Sequence, residues 1–193
     1  MDIRQKRADL IKQLIATIED AERPGLKDTP MRVAKMYEEI FRGYSAEKPK
    51  ITTFDNGQDG IITDQLITDT GDFYSHCEHH MVPFFGKYYF AYLPSPTGKI
   101  VGLSKVARTV DFYAAKLQIQ ERLVKDVVTE LWDALCEEGV DAPLGMGLVM
   151  EGEHLCKTMR GAKKKGKMKT AYLLGSFKED TKVRQEFYNL IFN

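Results

Sequence analysis

A chain of 193 residues with 43% hydrophobic side chains is long enough to bury one sizeable core. Its 28 basic and 28 acidic residues cancel to a formal net charge of zero, which argues against general nucleic-acid binding because that role needs a basic face. No apolar run approaches the roughly 20 residues of a membrane span, the opening MDIRQKRADL lacks the apolar stretch of a signal peptide, and three cysteines imply no disulfide framework, so a reducing cytoplasm is the expected location.

Ile3, Leu10, Ile11, Leu14, Ile15 and Ile18 recur at helical spacing, and Pro24-Gly25 ends that helix. Thr29 can cap a second helix with Pro30 in its first turn; this helix carries Val33, Met36, Tyr37, Ile40 and Phe41 and stops near Gly43. Residues 44–60, with Pro49, Gly57 and Gly60, read as a loop. Strands are predicted over Ile61–Thr68 and Lys87–Leu93, then a turn at Pro94–Gly98. Ile100-Val101-Gly102 leads to a helix cap at Ser104. Helical spacing runs from Lys105 to Glu138, broken near Leu117–Gln120 into two helices, and Gly139 closes it. Cys136, beside Leu131, Trp132 and Leu135, reads as a small core residue. Two more strands, Gly147–Glu151 and Thr170–Phe177, precede a short helix capped by Asp180 or Thr181. Helices, strands, helices, strands in that order predict an α+β fold with an antiparallel sheet.

All four histidines and two of the three cysteines fall in two windows, His76-Cys77-Glu78-His79-His80 and Glu153-His154-Leu155-Cys156. Thiolate and imidazole are natural zinc ligands, and windows this short are local turns or strand ends. Cys77 and His80 stand in a C-x-x-H arrangement and Cys156 arrives from far along the chain, although spacing alone does not choose between His79 and His80. Three protein ligands would leave a fourth position for water, as a catalytic zinc does. His79 and His154 would remain as proton donors and acceptors. A closed structural zinc site built from four of these six groups is the competing reading.

These residues resemble the GTP cyclohydrolase I family. The resemblance rests on His76–His80 with Pro83-Phe84-Phe85-Gly86-Lys87, on Gly102-Leu103-Ser104-Lys105-Val106-Ala107-Arg108, on Gln118-Ile119-Gln120-Glu121-Arg122, on Glu153–Gly161 and on Thr29–Lys35. It implies a tunnelling fold: a four-stranded antiparallel sheet with two helices packed on it, forming a catalytic domain over 46–193 after an N-terminal helical arm over 1–45. It implies a homodecamer of two pentamers with active sites at subunit interfaces. The implied reaction opens the imidazole ring of GTP, releases formate and gives 7,8-dihydroneopterin triphosphate. Cys77, His80 and Cys156 would hold zinc. His154, His79 and Ser104 would be catalytic. Glu121 and Gln120 would read guanine, and Lys105, Arg108 and Arg160, helped by Lys35 and Arg32, would hold the phosphates. The same resemblance leaves open a deazaguanine-reductase-like enzyme of this fold, or a zinc-binding module without activity. Lys163-Lys164-Lys165-Gly166-Lys167-Met168-Lys169 departs from the family pattern and reads as a solvated loop or as extra attraction for a polyanion.

Overall fold

A computed structural model of the chain describes residues 2–192. It divides after Ala46 into two compact units. The first holds α1 (Ile3–Ala16), α2 (Thr29–Ile40) and a 3₁₀ turn at Arg42–Tyr44. The Asp2 carboxylate accepts from the Arg4 N–H at 3.1 Å and caps α1. Pro30 sits in the first turn of α2 as predicted, but the helix already includes Thr29 and its cap position is Asp28. Small residues, Ala8 and Ala34, are the buried alanines of the two helices, and Arg4 forks onto Glu38 at 2.7–3.1 Å. Ile3, Leu10, Leu14 and Ile18 are each more than half exposed. The apolar stripe read from the sequence is therefore real, but much of it faces outward.

The second unit runs β1 (Thr53–Asp55), β2 (Ile67–Cys77), β3 (Pro83–Leu93), β4 (Lys99–Val101), α3 (Leu103–Ala114), β5 (Leu117–Gln118), α4 (Gln120–Leu135), β6 (Gly145–His154), α5 (Leu155–Thr158), β7 (Lys167–Gly175), α6 (Ser176–Glu179) and α7 (Thr181–Phe192). The class is α+β. The sheet has five strands rather than four, ordered β5-β2-β3-β6-β7, and β1 and β4 form a separate pair. Four of the five run antiparallel, and β5 pairs parallel with the end of β2, His76 opposite Leu117 and Cys77 opposite Gln118. This fifth strand exists because the chain between α3 and α4 lies along that strand end instead of crossing in a loop.

α4 places Leu123, Val124, Val127, Val128, Leu131 and Leu135 on one face at 3.6-residue spacing. They pack with Val106, Val110 and Ala114 of α3 against Phe73, Phe90, Tyr92, Met146, Leu148 and Met150 of the sheet. Full burial of each large side chain contributes about 1.5–3 kcal/mol. On the other face Ala91 and Val149 meet Phe177, Phe187 and Ile191. Asp180 caps α7 by accepting from Lys182 N–H at 2.7 Å.

Three readings are corrected. The strand expected over Ile61–Thr68 begins only at Ile67, and Ile61 and Ile62 are exposed. There the Asn56 amide holds the loop, donating to Thr63 O and Ser95 O and accepting from Thr63 N–H. The cap of α3 is Gly102, and Ser104 is already helical. Cys136 is exposed rather than core, because α4 ends at Leu135 and the backbone turns away at Cys136. Among the described residues no helix is long and apolar enough to cross a membrane.

Candidate active site

The first histidine–cysteine window is the tight connection between β2 and β3. Cys77 N–H donates to Val82 O at 2.9 Å and Met81 N–H to Cys77 O at 2.7 Å, closing the turn. Met81 takes a positive φ of 55°, a conformation that side chains other than glycine adopt at a cost. The turn is tied sideways to the β5–α4 junction: Glu78 N–H donates to Gln118 O at 3.0 Å, and Arg122 pairs with Glu78 while donating to Gln118 Oε1 at 2.9 Å. The second window ends β6 and begins α5, a single helical turn that carries Cys156.

The sheet brings the two windows together, with Phe84 opposite His154. The donor atoms of Cys77, His80 and Cys156 all lie within 4.8 Å of one another. Burial first, then the neighbouring Cys77 sulfur, pushes the Cys156 thiol above its ordinary pKa. A soft divalent cation at this point would instead favour the Cys156 thiolate. Two thiols and an imidazole in one small volume, with no fourth protein donor grouped with them among the described residues, fit zinc with one position left over. His79 Nδ1 lies 3.6 Å from the Cys77 sulfur, and Arg160 Nη1 lies 2.9 Å from His80 Nε2 as donor.

His154 stacks flat on Phe84, ring centroids 4.6 Å apart and planes 6° off parallel, and its Nε2 lies 2.9 Å from Gln120 Oε1. Burial pushes its pKa down; Glu121 partly opposes this and Lys157 adds to it. Gln120, the first residue of α4, is wholly buried, and Glu121 beside it is exposed in the first turn, where the helix dipole favours a carboxylate. Ser104, Lys105 and Arg108 lie in the first turns of α3, with Ser104 and Arg108 exposed. No hydrogen bond or ion pair among the described residues joins these three to the cysteine–histidine cluster. Arg32 and Lys35 lie on α2 in the first unit, both exposed, Arg32 pairing with Asp28 at 3.5 Å. Sequence reading passed over Phe84 as a support for His154 and over the Glu78–Arg122 pair. The period-2 alternation of β3 could have placed Phe84 inward; nothing local marks the ion pair.

The GTP cyclohydrolase I family model matches residues 7–192. This chain belongs to the GTP cyclohydrolase I family. A GTP cyclohydrolase 1 of Coxiella burnetii (strain Dugway 5J108-111) is 41% identical over 189 residues, covering 95% of this chain and 96% of that one. A GTP cyclohydrolase 1 of Listeria innocua serovar 6a is 43% identical over 193 residues, covering 97% and 96%. A solved structure of the archaeosine synthase QueF-Like in the apo form is similar over 57% of this chain and 93% of its own, with 14% identity and a TM-score of 0.45, too loose a likeness to argue from. The expectation of an enzyme of the GTP cyclohydrolase class stands on family membership.

Proposed function

We propose that this enzyme opens the imidazole ring of GTP, releases formate and rearranges the ribose to give 7,8-dihydroneopterin triphosphate, an entry step to folate and pterin synthesis. The observation that carries this reading is the grouping of Cys77, His80 and Cys156 at the end of the strand pair that also holds His154.

Cys77, His80 and Cys156 would hold zinc, which when bound supplies an acidified water at neutral pH. His154 would give a proton to the ring nitrogen next to carbon 8, making that carbon more electrophilic when water attacks. Its stacking on Phe84 fixes the ring plane for that transfer. His79, exposed on the turn, would handle the proton near the ribose oxygen, and Ser104 would act in the sugar rearrangement. Glu121 would accept from the guanine N1–H and exocyclic amine. Adenine lacks that donor pair, and a site built for such a pair rejects the analogue by about 10⁴-fold or more. Lys105, Arg108 and Arg160 would pair with the triphosphate, the arginine forks suiting its oxygens, with Lys35 and Arg32 in support.

The tunnelling fold is the finer architecture we assign, with a helical arm over 1–45 and a catalytic domain over 46–193. The protein would work in the cytoplasm as a homodecamer of two pentamers. The outward apolar residues of α1 and of the turn after it support an assembly, because Leu10, Leu14 and Ile18 otherwise stand in water.

The test is formate release from GTP by zinc-loaded protein beside a Cys156→Ser variant. Release that disappears in the variant supports the reading. Wild-type protein that holds zinc and releases no formate would sink it.

A further inference from the structure

Gln120 carries four partners and no exposed surface. Its Nε2 lies 3.0 Å from Met150 O on β6, 3.1 Å from Met168 O and 2.8 Å from Thr170 Oγ1 on β7, and its Oε1 lies 2.9 Å from His154 Nε2. Rotating this amide by half a turn would set its oxygen against two backbone carbonyls, three acceptors with no proton among them. The carbonyls therefore hold the NH₂ end toward the sheet and leave Oε1 for the histidine. An amide oxygen only accepts, so His154 Nε2 must bring the proton. Room for this arrangement comes from Gly152, where an added Cβ would sit 2.4 Å from Gln120 Oε1 and 3.2 Å from the Phe73 ring.

We propose that Gln120 is a positioning residue that holds the Nε2–H of His154 on its amide oxygen, leaving Nδ1 as the nitrogen that takes up a proton from water and passes it to substrate. The inference rests on the reading of His154 as a proton donor and deepens it. It also moves Gln120 from the guanine-reading role that the resemblance implied, because its amide protons are already engaged inside the protein. Second-shell groups choose histidine tautomers in this way. Phe84 fixes the ring plane and Gln120 fixes its rotation in that plane.

The experiment uses zinc-loaded protein with ¹⁵N-labelled histidine. In the wild type, His154 should show a protonated, pyrrole-type signal at Nε2 and an unprotonated, pyridine-type signal at Nδ1. In Gln120→Met, close in volume but without the acceptor, the two signals should move toward each other as tautomers mix. The kcat for formate release should fall about 10- to 100-fold, with KM for GTP unchanged within about twofold. A wild-type spectrum with the proton on Nδ1, or a variant whose KM rises while kcat holds, would overturn the assignment. The wild-type spectrum decides it even if the variant does not fold. The nitrogen signals are read without turnover, so absence of formate release would remove the proposed reaction and leave this assignment to be judged separately.

Discussion

The two faces of β6 solve the same problem differently. On one face Met146, Leu148 and Met150 run through the core to Gly152 and His154, and the polar end is a neutral network saturated by Gln120. On the other, Val149 gives way to Glu151, whose carboxylate takes Lys167 at 2.6 Å and Lys169 at 3.0 Å. Those two contacts, Lys167 first, draw the Glu151 carboxyl below its ordinary pKa. Lys169 also lies 4.2 Å over the Phe192 ring. The neutral network is costly to break, because an orphaned buried amide or carbonyl loses its full hydration. The ionic one sits where solvent reaches both lysines, so it contributes little and rearranges freely. Geometry that must hold is kept by uncharged groups in the interior; charge is left where it can be screened.

The largest test of this contrast lies just past the end of the neutral face. Cys156→Ser should lower formate release from GTP on the order of 10³-fold and leave zinc substoichiometric by metal analysis. Full activity with full zinc would remove Cys156 from the centre. Gly152→Ala comes next. Its methyl would intrude on Gln120, and the overpacking should lower stability by about 1–3 kcal/mol in urea unfolding. An unchanged midpoint would mean the neutral network yields as easily as the ionic one.

Glu151→Gln should cost only about 0.5–1 kcal/mol near neutral pH, since the lysines are solvated. A carboxyl lowered by folding adds stability above its unfolded pKa of about 4.3, and loses it as pH falls through the lower folded value. Wild type and variant should therefore converge in acid and also in high salt, as followed by thermal unfolding; a gap that persisted in both would contradict an ionic origin. The smallest effect belongs to the ligand turn. Met81→Gly relieves the positive φ but frees the unfolded chain, and the two should cancel to within about 0.5 kcal/mol. A loss of several times that would show Met81 packing to matter more than its backbone.

Hydropathy made α3 and α4 legible, since a continuous apolar face survives from Val106 to Leu135. It did not reveal most of β2. The inward positions there include Asp69, Gly71 and Ser75, so the alternation is present in burial but nearly absent in polarity. Ile61 and Ile62 misled for the opposite reason: they are apolar residues in a loop held by Asn56. Cys136 continued a helical pattern one residue beyond where the helix stops. At the site, metal-ligand chemistry is so restricted that Cys77, Cys156 and the His79–His80 pair stand out by residue type, while the choice of His80 comes from the family resemblance. What Gln120 touches does not, because a glutamine looks the same in sequence whether it faces a ligand or the backbone of two strands.

The grouped sulfurs also order events in time. Cys77 precedes β3, α3 and α4 in the chain, and Cys156 follows β6. A chain emerging from the ribosome carries the first half of this centre long before the second, and the halves meet only when β3 and β6 have paired in register. Closing so long a loop is entropically unfavourable until that pairing is made. Metal capture at Cys77, His80 and Cys156 would thus be a late event in biogenesis, and a bound cation would certify that the sheet beneath it has been completed.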